Sequence, residues 1–160
     1  MGLTNRGPFN PIIHSRLSSY SEIFLAFLTH INWGPTLGSE EILSFLFDRG
    51  VSYIVGLQYA HKPGIARELN HYMASLCADY DRLVGMATLY PGEPDAAAIL
   101  TEGFSLGLKG VKLHAHVQCF DMRSEGMKTV YRVCSDHGRP LVLFMQDGNP
   151  KARRIPVILI

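Results

Sequence analysis

Short apolar runs occur four times between residues 51 and 147, and helical segments separate them. The runs start near residues 51, 83, 110 and 140, so their spacing is about 30 residues. A strand followed by a covering helix needs roughly this length of chain. Because such units place consecutive strands parallel to one another, the spacing predicts an α/β fold with a parallel sheet covered by helices.

The runs are apolar along most of their length, as strands are when both sheet faces are covered. Their predicted extents are 51–57, 83–89, 110–116 and 140–145. Helices are predicted between these strands, and one more, with Ser39 as N-cap and Gly50 at its end, precedes them. No sequence repeat accompanies the spacing, which excludes a solenoid built from a consensus unit.

The two ends of the chain differ from this core. Residues 1–38 begin with a loop rich in proline and glycine, and the apolar residues of Ser19–Trp33 then fit a helix. Residues 148–160 form an atypical tail that ends in an apolar segment. We therefore expect three regions: an N-terminal loop and helix at 1–38, a βα core at 39–147, and the tail.

Charge and cysteine content exclude several classes of protein. Lys and Arg number 15 against 14 Asp and Glu, so the net charge of +1 lacks the basic footprint of a nucleic-acid-binding domain. The apolar run Ile23–Leu28 is far shorter than the roughly 18 residues that cross a bilayer. Cysteines 77, 119 and 134 form neither a disulfide framework nor a zinc ribbon, which favours a cytoplasmic protein.

The sharpest chemical feature is the third run, Gly110–His116. Strand alternation places Lys112, His114 and His116 on one face and apolar residues on the other. The apolar face should meet the helices, so the Lys/His face should lie inside, near the carboxyl ends of the strands where α/β sites are built. Two neutral imidazoles at this spacing can share a metal, or one can bind it while the other acts as a base. The alternative is a histidine pair that only forms hydrogen bonds.

Other polar residues follow the predicted strands. His61 lies in a strand-to-helix loop, where it can contact substrate or simply be solvated. Gln118 follows the third strand. Asp147 follows the fourth and could ligate a metal or orient a histidine, or it could serve only as a turn residue. We expect Lys112 to be a buried lysine paired with a carboxylate rather than a carboxylated, metal-bridging one.

A resemblance to a known family lies in three consecutive segments: VGMATLYPGEPDAAAIL at 84–100, GLKGVKLHAHVQCF at 107–120 and VYRVCSDHGRPLVLF at 130–144. They resemble the amidohydrolase-2 family of metal-dependent hydrolases, which also contains decarboxylases. The resemblance implies a TIM-type (β/α)₈ barrel, of which this chain carries about four of eight parallel βα units as a partial chain. A flavodoxin-like doubly wound sheet is the alternative fold.

The resemblance also implies one divalent metal, usually zinc, that activates water for hydrolysis or assists decarboxylation. The family's ligands include a His-x-His on the first strand, and none precedes residue 50 here. Phe144 stands where the family has a metal histidine, and it cannot ligate a metal. His114, His116 and Gln118 match the pocket-lining end of the family's fourth strand.

From the residues and the resemblance together we predict catalytic roles for His116 and Asp147. We predict substrate contacts by His114, Gln118 and His61, and metal binding by His114 and His116. The function implied is that of a metal-dependent hydrolase acting on a small carboxylate-bearing or cyclic substrate, with impaired activity in this chain.

The alternative function is a non-catalytic barrel remnant that oligomerises or binds a partner protein. The expected ligand is a small molecule, with no role for nucleic acid or membrane. Because part of a barrel leaves strand edges open, we also expect self-association.

Overall fold

The computed structural model describes residues 38–144, together with the backbone of two further strands near the chain ends. The strands are β1 (Phe24–Phe27), β2 (Ile54–Leu57), β3 (Leu83–Gly85), β4 (Val111–His114), β5 (Leu141–Phe144) and β6 (Val157–Leu159). The helices are α1 (Ser39–Asp48), α2 (Ala66–Asp79), α3 (Ala96–Ser105), the single turn α4 (Ala115–Gln118) and α5 (Glu125–Asp136).

Strands β1 to β5 are parallel and follow one another across the sheet in chain order. β1, β2 and β3 form one ladder, and β4 and β5 form another. The ladders are joined just beyond β3, where Ala87 bridges to Val111 and the N–H of Lys112 donates to the carbonyl of Ala87 at 2.8 Å. The described strands therefore lack the order reversal that a flavodoxin-like sheet requires.

One face of the sheet is covered by helices. α2 packs against both β3 and α3, and α3 packs against α5. Alternate strand residues join the helices in one large buried core; on the strand side these are Ile54, Leu83, Val111, Leu113, Leu141 and Leu143. The intervening residues face the other way, where Leu57, Met86 and Val142 form a second, smaller buried cluster. The prediction that the apolar face of β4 meets the helices is confirmed.

Two glycines let α2 approach the sheet closely. A Cβ added to Gly85 would lie 2.7 Å from both Met73 Cγ and Cys77 Sγ. A Cβ added to Gly56 would lie 2.7 Å from Met73 Sδ. Neither position has room for a side chain, so these glycines set the distance between β2, β3 and the helix layer.

The helix expected over Ser19–Trp33 is wrong in its central part. Phe24–Phe27 is strand β1, which runs parallel to β2 with Phe24 opposite Ile54. A short apolar run fits a buried strand as well as a buried helix segment, and here pairing with β2 decides between them. The rest of residues 1–37 lies outside the described part of the chain.

The predicted core strands are present but shorter than expected. β4 ends at His114 instead of at residue 116, because the chain turns into α4. The tail contributes β6, which pairs antiparallel with β5 and covers that edge. Among the described residues, no helix has the length and apolar character that spanning a bilayer requires.

Candidate active site

The face of β4 that points away from the helices, called the inner face below, carries Lys112 and His114, as the alternation predicted. Lys112 is fully buried, and His114 is partly buried at the carboxyl end of the strand. Their neighbours in sequence, Val111 and Leu113, belong to the core on the helix side. The predicted division of this strand into a Lys/His face and an apolar face is therefore confirmed up to residue 114.

Two aromatic rings flank the ammonium group of Lys112. Its Nζ lies 5.3 Å from the ring centroid of Tyr59 and 5.5 Å from that of Phe144. These are cation–π distances. Burial lowers the pKa of Lys112 to about 8, so Lys112 is still protonated in most molecules at neutral pH. The expected burial is confirmed, and a carboxylate partner for this lysine stays a prediction.

The imidazole of His114 lies against the same two rings. Its centroid is 4.4 Å from that of Phe144 and 5.1 Å from that of Tyr59. Burial first, and then the charge of Lys112, lower the pKa of His114 to about 4, so the ring is neutral at pH 7. Its Nδ1 accepts a hydrogen bond from the N–H of Val117 at 3.4 Å. This bond favours the tautomer with the proton on Nε2, which can donate to an anionic ligand.

His116 does not share that face. It lies exposed on α4, because His114 caps this single turn and the strand alternation stops there. The prediction that His114 and His116 project from one strand face is therefore wrong. Their predicted roles in metal binding, and the catalytic role of His116, stay predictions.

Gln118 is buried at the end of α4, and backbone groups surround its amide. Nε2 donates to the carbonyls of Ala60 at 2.8 Å and Leu89 at 2.7 Å. Oε1 accepts from the N–H of His114 at 2.7 Å. Both amide hydrogens are used in these bonds to the backbone, and the predicted substrate contact of Gln118 stays a prediction.

The two remaining predicted residues lie apart from this group. His61 is exposed in the loop that follows β2. Asp147 lies outside the described part of the chain. The structure thus brings Lys112, His114 and Gln118 together and leaves His61 and His116 on the surface around them.

Sequence reasoning missed a buried polar network at the same ends of the strands. Asn70 on α2 accepts from the N–H of Thr88 at 2.8 Å and from Gln58 Nε2 at 3.3 Å, and it donates to the carbonyl of Thr88. The hydroxyl of Thr88 accepts from the N–H of Ala60 and donates to the carbonyl of Lys112. One sequence signal could have indicated this network: Asn70 lies on the apolar face of a predicted helix, where a buried polar side chain needs hydrogen-bond partners.

The described residues do not fit a divalent metal. Between residues 38 and 144 no three His, Cys, Asp or Glu side chains are grouped as metal ligands. The neighbours of His114 on the inner face are two aromatic rings and the ammonium group of Lys112, whose charge repels a cation. We therefore assign no metal to this face from the residues described.

No family model matches the sequence, and no curated protein is similar to it. Solved structures are similar, at TM-scores above 0.5. A protein described as an amidohydrolase from Staphylococcus aureus aligns with 80% of this chain at 18% identity and a TM-score of 0.61. The chain is similar in fold to amidohydrolases. The resemblance seen in the three sequence segments is thereby confirmed at the level of the fold.

Two further amidohydrolase-like structures carry bound molecules. The 5-carboxyvanillate decarboxylase from Novosphingobium aromaticivorans, with manganese and 4-hydroxy-3-methoxy-5-nitrobenzoic acid, aligns with 78% of this chain at 18% identity and a TM-score of 0.60. A protein described as a 2-pyrone-4,6-dicarboxylic acid hydrolase from Acinetobacter baumannii, with citric acid, aligns with 76% at 17% identity and a TM-score of 0.54. The chain spans about half the length of these structures, at 48–49% of each.

Proposed function

We propose that this chain forms about four of the eight βα units of an amidohydrolase-type barrel and supplies the acid-binding part of its active site. One observation carries the proposal: a fully buried Lys112 lies beside His114 on the inner face of β4, at the carboxyl end of a parallel sheet. A pKa of about 8 keeps Lys112 mostly protonated at pH 7. The sequential strand order and the half-length match to solved amidohydrolases support the fold.

The chemistry of this face suits a small, cyclic, carboxylate-bearing ligand. The charge of Lys112 favours an anion nearby, and Nε2–H of His114 is a donor for a carboxylate oxygen. The rings of Tyr59 and Phe144 offer flat apolar contacts. Both acids bound in two of the similar structures carry carboxylate groups, and the nitrobenzoic acid is also cyclic. The reaction proposed is hydrolysis or decarboxylation of such an acid.

A metal-dependent reaction would need ligands that lie outside the described residues. Asp147 is the predicted candidate among them, and it would act together with His116, which is exposed on α4. When bound, a divalent ion such as zinc or manganese would supply an activated water or polarise a substrate oxygen. The choice of zinc and a cytoplasmic location remain part of the proposal.

Calorimetric titration with 4-hydroxy-3-methoxy-5-nitrobenzoate and with citrate tests the acid-binding face. We expect saturable binding to the full chain and a loss of about tenfold in affinity in Lys112→Met, since a charge-assisted contribution is removed. The matched control is Lys109→Met, which removes an exposed lysine three residues earlier. Equal losses of affinity in the two variants would show that the acids respond to the net charge of the chain and not to Lys112 in particular.

A second candidate is a non-catalytic remnant that binds a partner chain. The observation that favours it is Phe144, whose ring packs against His114 where the resemblance places a metal histidine. Metal analysis of the purified chain separates the candidates. One tightly held divalent ion per chain supports the hydrolase. No retained metal together with no probe binding supports the remnant.

A further inference from the structure

We infer that Gln118 is a positioning residue that holds His114 in its place on the inner face. The inference concerns the architecture of the site, and only its ligand-binding consequence rests on the proposed function. Gln118 is almost completely buried, and it contacts three separate parts of the chain through one amide group.

The three bonds of Gln118 join the ends of three neighbouring strands. Ala60 lies shortly after β2, Leu89 shortly after β3, and His114 is the last residue of β4. At these points the backbone leaves the sheet, so carbonyl groups lose their partners in the ladder. Nε2 of Gln118 supplies both missing donors, at 2.8 and 2.7 Å. The side chain thus ties together the loop ends that surround the candidate site.

His114 is held at two points, and both depend on the turn that Gln118 closes. Its backbone N–H donates to Oε1 of Gln118 at 2.7 Å. Its ring Nδ1 accepts from the N–H of Val117, the residue next to Gln118. Releasing Gln118 removes the first bond and loosens the turn that presents the second. The imidazole should then leave its contacts with the rings of Tyr59 and Phe144.

Nuclear Overhauser contacts between the ring protons of His114 and those of Phe144 and Tyr59 provide a direct readout. In Gln118→Met, which has a similar size and no amide, we expect these contacts to disappear and the His114 amide to exchange faster. The affinity for 4-hydroxy-3-methoxy-5-nitrobenzoate should fall about tenfold, the scale expected for the loss of one hydrogen bond.

Asn70→Leu is the matched control, because it also removes three buried side-chain hydrogen bonds at the strand ends without touching His114. It should lower the melting temperature as Gln118→Met does and leave the His114 ring contacts in place. If Gln118→Met does not fold, Gln118→Glu replaces it. Gln118→Glu places a carboxylate oxygen against the carbonyls of Ala60 and Leu89, so the side chain should be displaced, and both the ring contacts and the protection of the His114 amide should be lost.

Unchanged ring contacts in whichever Gln118 variant folds would overturn the inference. Equal loss of these contacts in Asn70→Leu would also overturn it, since Gln118 would then act only through general stability. If the unmodified chain binds neither acid probe, the proposed function fails, and the ring contacts still decide the role of Gln118.

Discussion

Lys112 and His114 show how burial acts on two cationic groups of one strand. Both project from the inner face of β4, and burial lowers the pKa of each. The outcomes differ because their ordinary pKa values differ: Lys112 stays mostly protonated at pH 7, whereas His114 is neutral. One face therefore offers a fixed positive charge and, beside it, an uncharged hydrogen-bond donor.

The first prediction concerns the stability effect of Lys112. Its pKa falls from 10.5 unfolded to about 8 folded, so the unfolded chain binds more protons between these values. The stability of the unmodified chain should therefore rise from pH 8 to 10.5, with the full cost present below pH 8. Lys112→Met removes this cost, which is roughly 3 kcal/mol for such a shift. Urea unfolding should show Lys112→Met to be more stable at pH 7, by an amount that shrinks at pH 10.

The control is Lys109→Met, which replaces an exposed lysine. Its free energy of unfolding should equal that of the unmodified chain at both pH 7 and pH 10. Parallel pH profiles for the unmodified chain and Lys112→Met would contradict the first prediction.

The second prediction concerns the titration of His114. Its ring proton signals should shift with a midpoint near pH 4 instead of the ordinary 6.5. Because the unfolded chain binds the proton more strongly between these values, His114 should contribute a loss of stability as the pH falls through this window. The measurement is an NMR titration of the histidine ring signals, with His114→Gln to assign them. A midpoint near 6.5 would show that the imidazole is solvated.

At the scale of the elements, α4 decides the layout of the site. The Lys-Leu-His-Ala-His alternation suits a strand through residue 116, yet the strand ends at His114. The side chain of His114 caps the following turn, and that of Gln118 closes it by bonding to the backbone of His114. Two side chains thus override a local strand pattern, and His116 is turned out to the surface.

The third prediction concerns the contact between α2 and the sheet. Gly85→Ala should destabilise the fold by about 1–3 kcal/mol, the usual cost of overpacking a tight core. The new methyl group would meet Met73, Cys77 and Leu108 together, at 2.7–2.8 Å. Gly56→Ala should cost less, because its closest contacts are the terminal atoms of the flexible Met73 side chain. Chemical denaturation of both variants gives the comparison, and equal costs would contradict the prediction.

At the scale of the whole molecule, the edges of the sheet decide how strongly the chain should associate with other copies of itself. β1 covers the edge of β2, and β6 covers the edge of β5. Among the described strands, β1 and β6 have no further neighbour. Exposed strand edges promote association, and a net charge of +1 offers little repulsion against it.

The fourth prediction follows from these edges. Sedimentation velocity at micromolar concentration should show self-association of the full chain. A chain ending at residue 152, without β6, should associate more strongly because the edge of β5 is then uncovered. A monomeric full chain would contradict the expected self-association, and association of the truncated form alone would show that β6 is sufficient protection. Two monomeric forms would contradict the prediction.

The sequence by itself determined what depends on neighbouring residues. Short apolar runs predicted the core strands, and alternation in β4 predicted that Lys112 and His114 share the inner face. The spacing of the units predicted parallel strands. These properties follow from local backbone geometry, so a reading of short windows is enough to find them.

Only the tertiary structure decided what depends on distant contacts. Phe24–Phe27 becomes a strand through its pairing with β2, although its apolar run equally fits a helix. Gln118 is a support because its amide meets Ala60 and Leu89, which are 58 and 29 residues away. The geometry of such contacts is set when the strands assemble side by side, and no local pattern records which carbonyl groups will then lack a donor.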